Sequence, residues 1–391
     1  MDTWRRMQAE LDALEAADLL RRPVEVESAC GPVVTVGGRS VVCLCSNDYL
    51  GLASDEAVKS AAIEAVRRWG VGAGASRLVC GTTSLHVELE RRLAEFKRVE
   101  AALVTPTGWT ANHVAIHALA RKGDLVLLDK LDHASIIDVA ISSGAAVRTY
   151  AHRDVDRLTR LLDRHRASHS RCLIVTDSVF SMDGDVAPLR ELVEIKERFD
   201  AQLLLDEAHA TGVLGEGGRG AAELLGVEGG IDATVGTMSK ALGAMGGFVG
   251  GPRALIETIR NTGRAFIYTT APPAAICAAV LAALDVIRDQ PDRRRRLLAM
   301  ADELRAALKG SALPVGASQT QIIPVMIGRA DLALRVSRRL LEKGFLVPAI
   351  RPPTVPRGAS RLRVSLSAGH DVRDLRRFVE AVKDAFRAEA G

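Results

Sequence analysis

The sequence predicts an α/β fold: a mainly parallel sheet covered by helices on both faces, followed by a smaller α+β domain. Three observations carry this reading. Short, nearly continuous apolar runs ("AALVTPTG", "DLVLLDK", "RCLIVTDSVFS", "AQLLLDEAH" and "ATVGTMSK") alternate with helix-like stretches, the pattern of strands buried on both faces. Each run ends in polar or glycine-rich residues, and in open α/β sheets ligands sit beyond the carboxyl ends of the strands. After "YTTAPPAA" the pattern changes to long Arg- and Leu-rich helices and then to "QIIPVMIG", "FLVPAI" and "RLRVSLSAGH", as in a separate smaller domain.

At the start of the chain, Trp4, Met7, Leu11 and Leu14 recur at helical steps, so an amphipathic helix is expected, leading into an extended arm. The expected division is a helix and arm over 1–45, a large domain over 46–280 and a small domain over 281–391. With 391 residues and 48% hydrophobic content the chain can bury a substantial core. Its 52 basic and 48 acidic residues leave +4, too balanced to imply a nucleic-acid or membrane partner. The basic run in "DRRRRLLAM" reads as a solvated helix face. Six scattered cysteines form no C-x-x-C pair, which argues against a disulfide framework and a zinc knuckle. No secretory signal and no bilayer-length apolar run is visible, so cytoplasmic residence is expected.

The chemistry concentrates at the strand ends. "GTMSKALGAMGG" sets Lys240 among small and apolar neighbours; a buried ammonium is costly and tends to lose its proton, so this lysine is either a surface residue beside a turn or a reagent. "LLLDEAHATG" puts Asp206 at the end of a buried strand and His209 three residues later. That carboxylate either caps a helix or pairs with a protonated heterocycle nitrogen. Gly108 and Trp109 in "TPTGWTANHVAIHAL" stand at a strand-to-helix junction, where free N–H groups and the helix dipole attract a phosphate, though a plain glycine turn would look similar. His133 in "DKLDHASIIDVA" occupies a comparable junction and could stack on a planar ring.

In "RLRVSLS", Arg361, Arg363 and Ser365 share one strand face. One guanidinium there could clamp a carboxylate, with exposed edge-strand arginines as the plainer alternative. His113 and His117 have the i, i+4 spacing of zinc ligands but no third ligand nearby, and are read as packing residues; no metal is expected. "GEGGRG" matches G-x-G-x-x-G and raises a dehydrogenase reading. It does not directly follow a strand, however, and Glu216 would repel a pyrophosphate. A lysine, an acid for a ring nitrogen, a stacking His, a phosphate-binding helix start and a carboxylate-binding Arg together are what pyridoxal phosphate requires.

The ordered segments "SNDYLGL", "GAGASRLVCGTTSLHVELE", "DHAS", "VFSMDGDVAPL", "DEAHATGVLGEGGRG", "GTMSKALG" and "IRPPTVPRGASRLRVSLSAGH" span nearly the whole chain. In them the sequence resembles the α-oxoamine synthases, fold-type-I pyridoxal-phosphate enzymes that condense an amino acid with an acyl thioester and release carbon dioxide. The resemblance implies a large domain with a mainly parallel seven-stranded sheet, a smaller α+β carboxyl-terminal domain, and a homodimer with its active site at the subunit interface. "AIRPPTVPRGASRLRVSL" is most similar to members that join L-alanine to a pimeloyl thioester in biotin synthesis. Sister activities using glycine or serine share the core, among them one that takes glycine and acetyl-CoA.

Carried across motif by motif, the resemblance makes Lys240 the Schiff-base lysine, Asp206 the partner of the pyridinium nitrogen, His209 the partner of the phenolic oxygen and His133 the stacking residue. Gly108, Trp109 and Thr237 would hold the phosphate, with Thr269 or Thr270 of a neighbouring subunit, and Ser181 would touch the cofactor. Asn47 and Arg363 would orient the amino-acid carboxylate, with Arg361 as a further partner, while Arg21 and Thr354 would line the acyl-donor side. Trp109, where Phe or Tyr is familiar, and Ala75, where Gly is expected, depart from the family pattern.

Overall fold

The structure, a computed structural model, describes residues 2–311 and 313–390. The chain divides into two compact units, Leu52–Ser181 with Val186–Arg294, and Met1–Gly51 with Met182–Asp185 and Arg295–Gly391. In chain order the strands are β1 (Val33–Val36), β2 (Arg39–Cys43), β3 (Ala101–Thr105), β4 (Leu125–Asp129), β5 (Ala146–Tyr150), β6 (Cys172–Asp177) and β7 (Gln202–Asp206). There follow β8 (Ala233–Thr237), β9 (Gly247–Gly251), β10 (Ile322–Gly328), β11 (Phe345–Leu346), β12 (Ala349–Ile350) and β13 (Ser360–Ser365).

The first unit is built on one seven-stranded sheet of order β3-β9-β8-β7-β6-β4-β5. Only β9 runs antiparallel, to β3 on one side and β8 on the other, so the sheet is mainly parallel as expected. The five apolar runs form β3, β4, β6, β7 and β8. Every residue of β4, β6, β8 and β9 is buried, and Val126, Leu128, Leu173, Val175 and Val235 share a core cluster with Ala111, Val114 and Ile116 of the helix Gly108–Leu119. Each such Val or Leu contributes about 1.5–3 kcal/mol of transfer free energy.

Two strands are not announced by apolar runs. The edge strand β5, "AVRTY", exposes Arg148 and Thr149. The other, β9, is "GFVGG", whose glycines read locally as a loop.

The second unit holds two three-stranded sheets, β1-β2-β11 and β10-β13-β12. Because β13 is the central strand, Arg361 and Arg363 are only 5% and 6% exposed; the edge-strand alternative for these arginines does not hold. The amino-terminal helix, Thr3–Ala16, buries no residue of its own, and Trp4 and Met7 are 72% and 49% exposed.

The basic run corrects the expectation of a solvated face. Arg293 pairs with Asp55 at 2.7 Å, the buried Arg294 donates to the carbonyls of Ile287 and Glu216, and Arg296 donates to His370 O at 2.9 Å. Such long side chains lie along the protein, and Arg294 satisfies a carbonyl in the last turn of the helix Ala274–Asp289. Among the described residues no helix is long and apolar enough to cross a membrane.

Candidate active site

A cavity of about 210 Å³ opens in the first unit and is lined by Gly108, Trp109, Asn112, His133, Ser135, Asp177, Asp206, Ala208, His209, Thr237, Ser239 and Lys240. Asp177, Asp206 and Thr237 are the last residues of the parallel strands β6, β7 and β8, which is where the sheet topology directs a ligand. The fold therefore gathers Gly108, Trp109, His133, Asp206, His209, Thr237 and Lys240 from sequence positions more than a hundred residues apart.

One end of the cavity is built for an anion. Thr107 caps the helix Gly108–Leu119 by accepting from Thr110 N at 3.0 Å, and the first N–H groups of a helix, here those of Gly108 and Trp109, have no intrahelical acceptor. Thr237 Oγ1 donates to Gly246 O at 2.9 Å and accepts from Ser239 N at 3.2 Å. Ser239 is thereby a further hydroxyl at the cavity that sequence reasoning missed.

Asp206 is aimed by two donors, Ala208 N on Oδ1 at 2.8 Å and Asn112 Nδ2 on Oδ2 at 2.7 Å. Asn112 also donates to Ser135 Oγ at 3.0 Å. The sequence held a signal for it: Asn112 lies four residues after Gly108, on the same helix face as the glycine at the helix start. His133 caps the helix Ala134–Ser142, its Nδ1 accepting from Ser135 N at 3.2 Å and lying 2.8 Å from Ser135 Oγ. An Nδ1 that accepts a backbone N–H leaves the proton of the neutral ring on Nε2. Burial, first of all, lowers the His133 pKa, with Lys240 acting the same way and Asp206 opposing. Its ring meets that of Trp109 edge-on, with centroids 6.1 Å apart.

Lys240 Nζ lies 2.9 Å from His209 Nε2. The glycines after Lys240 serve the protein's own backbone. At Gly243, φ is +66° and a Cβ would stand 2.4 Å from Ala53 N; at Gly247 it would stand 2.5 Å from Thr107 O and 2.7 Å from Gly108 Cα. Gly247 lets β9 pass against the start of the helix Gly108–Leu119, and Gly243 lets the turn after Lys240 lie against the backbone of Leu52 and Ala53.

The arrangement can take a planar ligand with an anionic end and a cationic ring nitrogen: N–H groups and hydroxyls at one end, a carboxylate at the other, and an amine with an imidazole between. That donor set fits pyridoxal phosphate.

The remaining predicted residues lie elsewhere. In the second unit, Arg363 donates from both terminal nitrogens to Asn47 Oδ1 at 3.2 Å and from Nη1 to Ser365 Oγ at 2.8 Å, and Tyr49 OH donates to the same Asn47 oxygen at 3.0 Å. Arg361 is ion-paired with Asp183. Arg21 donates to Pro352 O at 2.9 Å, and Thr354 is exposed close by in sequence. Ser181 ends the first segment of the large unit and is half-buried. Thr269 and Thr270 do not line this cavity in their own chain.

Residues 39–382 match the model of the family described as aminotransferase class I and II. The chain belongs to this family. Within it, a curated relative from Geobacter sulfurreducens, named 8-amino-7-oxononanoate synthase, is 49% identical over 97% of both chains. A solved serine palmitoyltransferase with a PLP internal aldimine overlays with a TM-score of 0.94 at 32% identity, covering 100% of both chains. The structure of 8-amino-7-oxononanoate synthase from Francisella tularensis gives a TM-score of 0.77 at 28% identity, over 90% of this chain and 99% of that one.

Proposed function

We propose that the protein is an 8-amino-7-oxononanoate synthase: a pyridoxal-phosphate-dependent acyltransferase that condenses L-alanine with a pimeloyl thioester, releasing carbon dioxide and free thiol, in biotin biosynthesis. The observation that carries this reading is the 49% identity over 97% of both chains to a relative of that name, together with Lys240, His209 and Asp206 in one cavity. The higher TM-score to serine palmitoyltransferase speaks for the shared fold rather than the substrate, because there identity is 32%.

Bound here, pyridoxal phosphate supplies an electron sink for the negative charge that develops at the substrate Cα. We assign Lys240 as the residue that carries the cofactor and, once released, takes the Cα proton. Its Nζ lies 2.9 Å from His209 Nε2. The Asp206 carboxylate, aimed by Asn112 and Ala208 N, would hold the ring nitrogen, and His209 the phenolic oxygen. His133 would stack on the ring, and Ser181 would touch it. The Gly108 and Trp109 N–H groups would take the phosphate with the Thr237 and Ser239 hydroxyls, joined by Thr269 or Thr270 of a second subunit.

For the substrates, Arg363 with Asn47 is assigned to the alanine carboxylate, and Arg21 with Thr354 to the acyl donor. Arg361 is set aside because Asp183 already takes its charge. A homodimer is part of the same reading, supported by the exposed apolar side chains of Val71, Val79 and Tyr268, 79%, 78% and 73% exposed. Cytoplasmic residence also belongs to this proposal.

The test is release of free thiol from pimeloyl-CoA, followed with a thiol reagent, with alanine, glycine or serine as co-substrate. Alanine is expected to give the highest kcat/KM. Preference for glycine with acetyl-CoA would overturn the substrate assignment and leave the family reading intact.

A further inference from the structure

Three neighbouring parallel strands, β4, β6 and β7, end in Asp129, Asp177 and Asp206, and Asp132 follows β4 by three residues. These four residues are 1%, 3%, 5% and 5% exposed in the order Asp129, Asp177, Asp206, Asp132. A buried carboxyl is costly unless it is given partners, so each should have a use.

Asp206 has one in the cavity. Asp129 organises its own loop, accepting from Leu131 N at 2.8 Å, Arg153 N at 2.7 Å and lying 3.0 Å from His152 Nδ1. Asp132 ties two strand ends together: Oδ2 accepts from Asp129 N at 2.8 Å and Oδ1 from Asp177 N at 3.0 Å. Asp177 is the direct register partner of Asp206 and lines the cavity, and its Oδ2 accepts from His133 N at 2.7 Å.

We propose that Asp177 is the positioning residue for His133: its carboxyl holds the backbone N–H of His133 while Asp132 clamps the backbone of Asp177. The ring of His133 thus stands where a chain of carboxyls running from the end of β4 to the end of β6 puts it. His133 begins the helix Ala134–Ser142. The hydrogen bond from its N–H therefore fixes the start of that helix as well as the ring.

The groups facing Asp177 fit this use. Burial foremost, then Asp206, and also Asp129, push its carboxyl well above the usual range, against the pull of the His133 N–H and of Lys240. Asp132 is pushed the same way by burial, then by Asp177 and Asp129. In either protonation state an Asp177 carboxyl oxygen can accept the His133 N–H. Its positioning role stands on the hydrogen bonds; only the catalytic consequence rests on the cofactor reading above.

The test uses cofactor-free full-length protein labelled with ¹³C in the histidine rings, with the His133 signal assigned by His133→Asn. The Trp109 ring, 6.1 Å away, shifts that signal according to where the His133 ring stands. Asp177→Asn keeps an acceptor for the His133 N–H and is expected to leave the shift in place. Asp177→Leu, similar in size but without an acceptor, is expected to displace the signal.

An undisplaced signal in folded Asp177→Leu protein overturns the proposal, and so does a signal displaced as far in Asp177→Asn as in Asp177→Leu, since the retained acceptor would then hold nothing. If Asp177→Leu does not fold, Asp132→Asn, which loses one of two acceptors, is expected to shift the same signal, and no shift overturns the proposal. In the loaded enzyme Asp177→Leu, unlike Asp177→Asn, is expected to raise KM for alanine. Failure of the wild type to bind pyridoxal phosphate would remove the cofactor reading and leave the ring signals interpretable.

Discussion

Lys240 Nζ stands 2.9 Å from His209 Nε2, joining a residue at the turn after β8 to one at the turn after β7. The amine is thus placed in the cavity beside an imidazole. Lys240→Ala is expected to abolish the borohydride-reducible visible band of the bound cofactor and to slow thiol release by on the order of 10⁴-fold, the upper range for loss of a general base. His209→Asn should keep the band and alter its pH dependence. A reducible band retained in Lys240→Ala protein would remove the lysine assignment.

Asn112 is expected to act through Asp206. Asn112→Ala removes the donor to Asp206 Oδ2, a loss of about 1–3 kcal/mol for a charge-assisted bond. Equilibrium dialysis should show cofactor Kd rising by about tenfold, since about 1.4 kcal/mol is a factor of ten. An unchanged Kd would mean that Asp206 is aimed by Ala208 N alone.

The two arginines of β13 should separate in their effects. Arg363, held on Asn47 and Ser365, is expected to raise KM for alanine when changed to Lys, because a bidentate fork becomes a point charge. Arg361, paired with Asp183, is expected to lower thermal stability when changed to Ala and to leave KM nearly unchanged. Steady-state kinetics with thermal melts of both variants checks the assignment, and the reverse pattern would exchange the two roles.

Gly247→Ala should damage the anion end of the cavity. Its Cβ would meet Thr107 O at 2.5 Å and Gly108 Cα at 2.7 Å, both backbone atoms that cannot swing aside. A cost of about 1–3 kcal/mol in stability and weaker phosphate affinity are expected. Unchanged melting and cofactor affinity would show that β9 can shift without disturbing Gly108.

Stability should fall on mild acidification through His86. This buried ring accepts Thr83 N at 3.2 Å on Nδ1 and lies 2.9 Å from Pro272 O through Nε2, a geometry made for the neutral form. Burial first, and then Arg77, lower its pKa from 6.5 to about 4. The unfolded chain therefore binds the proton more readily, and the contribution present above about pH 6.5 is lost as pH falls toward about 4. Urea unfolding across this range should show the slope, and His86→Gln should flatten it.

Much of the fold was legible because strands buried on both faces must be continuously apolar, and β3, β4, β6, β7 and β8 are. The strand β5 was hidden by its edge position, where polar residues face water, and β9 by its glycines, which answer to residues distant in sequence, Gly247 to Thr107 and Gly250 to Val99. The basic run at 293–296 misled because the acceptors of its arginines, Asp55 and the Glu216 and His370 carbonyls, come from remote segments.

At the cavity the sequence by itself determined which titratable side chains exist and that they stand at strand ends: Lys240, Asp206, His209 and His133 are chemically unusual where they occur. Only the tertiary structure decided who aims them. Asn112 on Asp206, Asp177 on His133, and Asp183 rather than a ligand on Arg361 are pairings across 44 to 178 residues of chain. Local periodicity reports which way a residue faces. Hydrogen-bond partners depend on register and crossover, and these exist only once the sheet has closed.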